Sequence, residues 1–235
     1  MRMSQIVAVS VLLVEIVYSA AIKSKWSPAF YSRYTFLNYE QFQPMRDRIE
    51  PANLDLPLLN AAIYYETNRI RAAHRIPEVQ YSPALEAAAY GHSVDMGKRH
   101  YLNHYTKPFP GDSSDLPHGP SERMEKYGID FFGTKAENLA TIPIGKHTYA
   151  SWAKDVVSRW MKSRGHRSNI LRHADGKESD SLDNTKGNIN FLGVACAPRI
   201  DKNRKVSYLY ATQNFAHMEG KDIDSYRIMG YEPAR

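Results

Sequence analysis

Trp160-Met161-Lys162-Ser163-Arg164-Gly165-His166-Arg167-Ser168-Asn169-Ile170-Leu171 is the stretch on which the reading of this 235-residue chain turns. It closes a helix expected over about Thr148 to Ser163, because Tyr149, Ala153, Val156, Val157, Trp160 and Met161 fall on one apolar stripe at helical spacing. Gly165 is expected to stop that helix, since glycine readily takes the backbone conformation that follows a last helical turn. His166 then stands just past the end of a regular element.

Working outward toward the N-terminus, Asp55 is a good helix cap and Pro57 suits a first turn. Leu59, Ala62, Ile63, Ile70 and Ala73 continue the apolar face, and Pro77 is expected to end this helix. A second helix opens at Ser82-Pro83 and places Leu85, Ala88, Ala89, His92 and Met96 on one side. His92 there reads as a core histidine with its hydrogen bonds satisfied. A short helix over Ser121 to Tyr127 stops at Gly128. Toward the C-terminus, Asn190 to Ala197 and Val206 to Phe215 read as strands joined by a polar turn around 201–203, and therefore as antiparallel neighbours. Helices first and strands last indicate an α+β layered domain rather than a βαβ repeat.

The remaining segments set the context. Arg2 followed by the apolar run Ile6 to Val14 and the small residues Ser19-Ala20-Ala21 has the order of a signal peptide cleaved near Ala20-Ala21; an uncleaved membrane anchor is the alternative. Residues 22–53 are rich in aromatics and prolines without a sustained period and read as an irregular arm packed on the domain. The domain proper is expected over 54–218, with a tail at 219–235. The polar stretch 174–187 reads as a solvated loop, since its acidic residues match no calcium-loop spacing.

A chain of this size buries enough surface to fold without disulfides or metal. Its single cysteine, Cys196, lies in an apolar run and reads as a small buried hydrophobe. The net charge of +6 is compatible with attraction to an anionic surface or lipid. No nucleic-acid motif accompanies the basic run from Lys154 to Arg172, which reads as a solvated helix face, so no nucleic-acid partner is expected. The chain is expected to work as a monomer.

Three groups fit metal or proton-transfer chemistry by type and by position at the edges of expected elements: His104 after the second helix, Glu137 in Ala136-Glu137-Asn138-Leu139, and His166. Their spacing alone is uninformative. Asn68 to Arg71, Tyr81 to Glu86, Ala136 to Leu139, Trp160 to Leu171, Leu192 to Ala195 and Tyr210 to Phe215 together resemble, in order, the signature blocks of the CAP superfamily: cysteine-rich secretory proteins, antigen 5 and pathogenesis-related proteins. The lack of disulfides and the Gly165 to Asn169 block look most like the bacterial branch.

The resemblance implies a three-layer α/β/α sandwich with a central antiparallel sheet and a cleft of two histidines and two acidic residues. His104, His166 and Glu137 match three of these positions, and Ser163 stands where many members carry the second carboxylate. Two imidazoles and a carboxylate can form a three-ligand Zn²⁺ or Mg²⁺ site, with His118 as a candidate fourth ligand. Arg123, Asn138 and Asn169 read as structural support. The functional expectation is a secreted binding or effector module for an extracellular ligand (lipid, sterol, peptide or wall polymer) with no catalytic residue. The alternative is a divalent-metal-dependent, peptidase-like hydrolase using the same cleft.

Overall fold

A computed structural model describes residues 24–108, 110–112, 118–129, 134–172, 188–200 and 206–218. The expected signal peptide, the polar stretch 174–187, the turn at 201–203 and the tail 219–235 lie outside the described residues.

Helix α1 (Leu56–Ala73) begins where Asp55 accepts a bond from the Leu58 amide at 3.1 Å. It ends four residues before Pro77. Arg75 takes a left-handed backbone (φ 58°) and the Ile76 amide folds back onto the Arg71 carbonyl at 3.0 Å, so local backbone closure stops the helix and proline does not. Strand β1 (Gln80–Tyr81) leads directly into helix α2 (Pro83–Arg99), capped by the Ser82 side chain on the Leu85 amide. Helix α3 is Pro120–Lys126, with Gly128 just beyond it at φ 88°.

Strand β2 (Lys135–Pro143) carries Glu137 inside a regular element rather than at an edge, and helix α4 (Tyr149–Lys162) follows behind a Thr148/Ser151 capping box. The chain then bends at Ser163 into helix α5 (Arg164–Ile170), so Gly165 and His166 lie within a helix and not after one. The bend is set by the extended backbone of Ser163 (φ −93°, ψ 124°), which closes α4 and opens α5. Strands β3 (Phe191–Ile200) and β4 (Val206–Ala216) complete the chain.

The sheet order is β1-β3-β4-β2. Strands β2, β4 and β3 pair antiparallel, as expected, and the two-residue β1 joins β3 in parallel, which makes the sheet mixed. The long connection between β1 and β3 supplies the crossover that a parallel pair requires.

Strand alternation builds the layers. On β3, Leu192, Val194 and Cys196 enter the core shared with α1 and α4, while Phe191 packs with Leu85 and Ala88 of α2 on the opposite face. A Cβ at Gly193 would lie 2.0 Å from the Glu86 amide nitrogen, and one at Gly97 would lie 2.7 Å from the Pro198 carbonyl oxygen. Glycine at both points therefore lets α2 lie directly on β3. The result is the three-layer α/β/α sandwich.

The arm adds to one outer layer. Trp26 is buried with its ring centroid 5.3–5.8 Å from those of Phe30, Tyr31, Phe42 and Tyr65, and Met45 and Ile49 join the same core. Strand β2 forms one edge of the sheet, and side chains cover its outward carbonyls: Asn169 on Glu137, Trp160 on Leu139 and Trp152 on Pro143. Among the described residues, no helix is long and apolar enough to cross a membrane.

Candidate functional site

Glu137 projects from β2 on the α2 side of the sheet, where its strand neighbour in register is Asn214. Its side chain is only 1% exposed. A carboxylate so deep must be compensated, and four contacts achieve this. Arg123 Nη2 donates to Oε2 at 2.8 Å and reaches Oε1 at 3.1 Å; His104 Nδ1 meets Oε1 at 2.9 Å. With its amide turned so that its oxygen accepts from the Ala89 amide at 3.0 Å, Asn214 donates to Oε2 at 3.2 Å.

His104 lies on the loop after α2, and hydrogen bonds fix this loop from Asn103 to Thr106. His92 Nε2 meets the Asn103 carbonyl at 2.8 Å, and Asn103 Oδ1 accepts from the Tyr105 amide at 2.8 Å. Arg123 Nη2 donates to the His104 carbonyl at 2.8 Å, and the Thr106 amide donates to the His118 carbonyl at 2.8 Å. The His104 side chain is nonetheless 45% exposed. Because Glu137 accepts at Nδ1, that nitrogen carries hydrogen and Nε2 is the atom left to face outward. Beside it, Leu102 (47%) and Tyr105 (66%) stand in solvent on the same fixed loop.

His166 arrives from α5. Burial first, and nearby His104 second, hold its pKa below the ordinary imidazole value. Helix α5 is held at both ends of its inner face. Asn138 donates to the His166 carbonyl at 3.2 Å, Asn169 donates to Asn138 Oδ1 at 2.9 Å, and buried Arg71 donates to the Ile170 carbonyl at 2.7 Å.

The structure thus brings His104, Glu137, Arg123, Asn138, Asn169 and His166 into one connected polar assembly. His118 joins it differently. Its imidazole is exposed, while its carbonyl accepts from Thr106 and Arg123. Ser163 is half-buried at the α4/α5 bend.

The expected Zn²⁺ or Mg²⁺ centre does not fit this arrangement. Among the described residues no group of three or more His, Cys, Asp or Glu side chains is placed to hold a metal ion. The physical reason is that both Glu137 oxygens already face donors, and a cation approaching them would meet the Arg123 guanidinium. In this arrangement Glu137 holds His104 through Oε1.

Three contributors escape the sequence reading. Arg71 anchors α5, Asn214 faces Glu137, and His92, buried as expected, supports the His104 loop through the Asn103 carbonyl. A signal for the last was present: His92 and Ser93 are polar residues inside an apolar helix stripe.

Residues 64–174 match the sequence model of the CAP family, described as the cysteine-rich secretory protein family. "Uncharacterized protein YkwD" of Bacillus subtilis (strain 168) is 30% identical over 105 residues, which is 45% of this chain and 35% of the relative. The chain therefore spans about a third of that curated relative's length. Among solved structures, an extracellular protein containing a SCP domain from Bacillus anthracis str. Ames has 22% identity and TM-score 0.46, covering 69% of this chain and 41% of that one. An outer surface protein from Borrelia burgdorferi has 16% identity and TM-score 0.45, covering 74% of this chain and 100% of that one.

Proposed function

From its CAP domain, carried by residues 64–174, we propose that this chain is an exported binding module whose ligand-contact face is formed by His104 and His166, with Leu102 and Tyr105 as its apolar rim. The observation that carries this reading is the state of Glu137. A general base needs a lone pair open to the reacting proton, and a metal ligand needs one open to the ion. Glu137 has neither, because Arg123 and His104 occupy its oxygens in a buried setting.

What the site offers instead is a pre-ordered surface. Exposed side chains on a loop whose backbone is already fixed lose little conformational freedom when a ligand lands on them. Leu102 and Tyr105 are two of the few large apolar side chains exposed among the described residues. They flank an imidazole that presents Nε2 outward. The ligand classes compatible with such a face are a lipid, a sterol, a peptide or a wall polymer, met by one copy of the chain outside the cytoplasm. Export rests on the charged start, the apolar run Ile6 to Val14 and Ala20-Ala21.

The test is a histidine- and tyrosine-resolved NMR titration of the purified chain with phosphatidylglycerol vesicles, cholesterol, a short peptide pool and chitotetraose, run beside a peptidase assay with and without Zn²⁺. The reading expects at least one probe to shift His104 and Tyr105 together, with no turnover. Turnover that disappears in the His104→Ala/His166→Ala variant would replace it with the hydrolase. N-terminal sequencing of protein recovered from the medium should begin near Ala21. A soluble cytosolic form that keeps Met1 would refute export.

A further inference from the structure

We infer that His92 and Arg123 are positioning residues for His104, joined by one buried water molecule that bridges His92 Nδ1 and Arg123 Nε. The inference rests on the reading of His104 as the ligand-facing group and names what holds it in place.

His92 Nε2 lies 2.8 Å from the Asn103 carbonyl oxygen, which can only accept, so Nε2 carries the hydrogen and Nδ1 is a bare lone pair. Arg123 Nε carries a hydrogen and can only donate. Both atoms are buried, and neither has a partner among the described residues. A buried acceptor or donor left unsatisfied destabilises the fold, and such groups in folded proteins are met by protein or by ordered water.

The two orphans belong to one neighbourhood. His92 Nε2 lies 2.8 Å from the Asn103 carbonyl and Arg123 Nη2 lies 2.8 Å from the next carbonyl, that of His104. Burial first and the Arg123 guanidinium second push the His92 pKa down to about 4, against the opposing pull of Glu137, so the ring is neutral at physiological pH. Arg123 spends its other nitrogens on Glu137, the His104 carbonyl, Thr106 Oγ1 and the His118 carbonyl. A water accepting from Arg123 Nε and donating to His92 Nδ1 satisfies both orphans at once.

The bridge closes a ring around His104. One path runs from His92 through the Asn103 carbonyl to the His104 backbone. The other runs from His92 through the water to Arg123, then to Glu137 and to His104 Nδ1. The two paths fix the loop and the imidazole from opposite sides. His92 touches no ligand in this scheme and acts only through His104.

The test uses the whole chain. Long-range ¹⁵N–¹H spectra of the histidine side chains are recorded for the wild type, His92→Phe and His92→Gln, and the wild type is crystallised to high resolution. The wild type is expected to show His104 protonated at Nδ1 as one sharp species, and an ordered water within roughly 3.2 Å of both His92 Nδ1 and Arg123 Nε. His92→Phe, which can neither donate to Asn103 nor hold the water, is expected to broaden His104 or split it between tautomers. His92→Gln, whose amide can do both, is expected to restore the single species. A folded His92→Phe with unchanged His104 signals would overturn the positioning role. A crystal structure without the water would overturn the bridge, even if His92→Phe fails to fold. Neither result depends on finding a ligand, so the binding reading can fail while these spectra stand, and the reverse.

Discussion

At the scale of single residues, the site is governed by how a buried carboxylate is neutralised. Glu137 is legible in the sequence as a polar residue of the right type, but its role is not, because nothing in Ala136-Glu137-Asn138-Leu139 announces that Arg123, fourteen positions earlier, will face it. The same holds for His92, whose place on an apolar stripe suggests burial but not that one ring nitrogen is left over. Burial of that ring has a measurable consequence. An unfolded-state histidine takes a proton near pH 6.5, whereas folded His92 resists it until about pH 4. Between these values the unfolded chain binds more protons, so the stability held above pH 6.5 is lost progressively as pH falls toward 4. Urea denaturation from pH 7 to pH 4 should show a steeper loss for the wild type than for His92→Gln. Parallel slopes would mean that His92 is not buried neutral.

At the scale of elements, the periodic helices α1, α2 and α4 were legible because each carries a long apolar stripe and a capping residue, Asp55, Ser82 and Thr148. What escaped was set by contacts that sequence spacing does not encode. Strand β1 is two residues long and exists because β3 lies beside it. The helix ends at Ser163 as its stripe predicts, but Gly165 does not stop it, because the chain turns at Ser163 straight into α5. Two glycine substitutions separate these cases. A Cβ at Gly193 collides with the backbone of Leu85 and Glu86, so Gly193→Ala should cost roughly 3 kcal/mol in equilibrium unfolding. A Cβ at Gly165 meets nothing within 4 Å inside a helix, so Gly165→Ala should be neutral or stabilising by about 0.5–1 kcal/mol. A large loss at Gly165 would restore the helix-stop reading.

At the scale of the whole molecule, helices preceding strands indicate an α+β layered domain, while the three-layer α/β/α order is legible only through the resemblance to the CAP signature blocks. The aromatic arm was legible as an irregular segment packed on the domain, though not which residue would anchor it. Its structural weight comes from Trp26, which inserts among Phe30, Tyr31, Phe42 and the α1 residue Tyr65. Trp26→Ala should therefore cost roughly 3–5 kcal/mol, and thermal unfolding should remain a single transition because arm and helices share one core. An early separate transition in the wild type would instead show an arm that melts on its own. The central claim concerns the site on this scaffold: Glu137 supports His104, and the assembly binds rather than hydrolyses. Isothermal titration of the full chain with Zn²⁺ and Mg²⁺, beside Glu137→Gln and His104→Ala/His166→Ala, tests it most directly. The account predicts no saturable one-to-one isotherm in the micromolar range for the wild type. A one-to-one isotherm abolished in both variants would make Glu137 a metal ligand and contradict it.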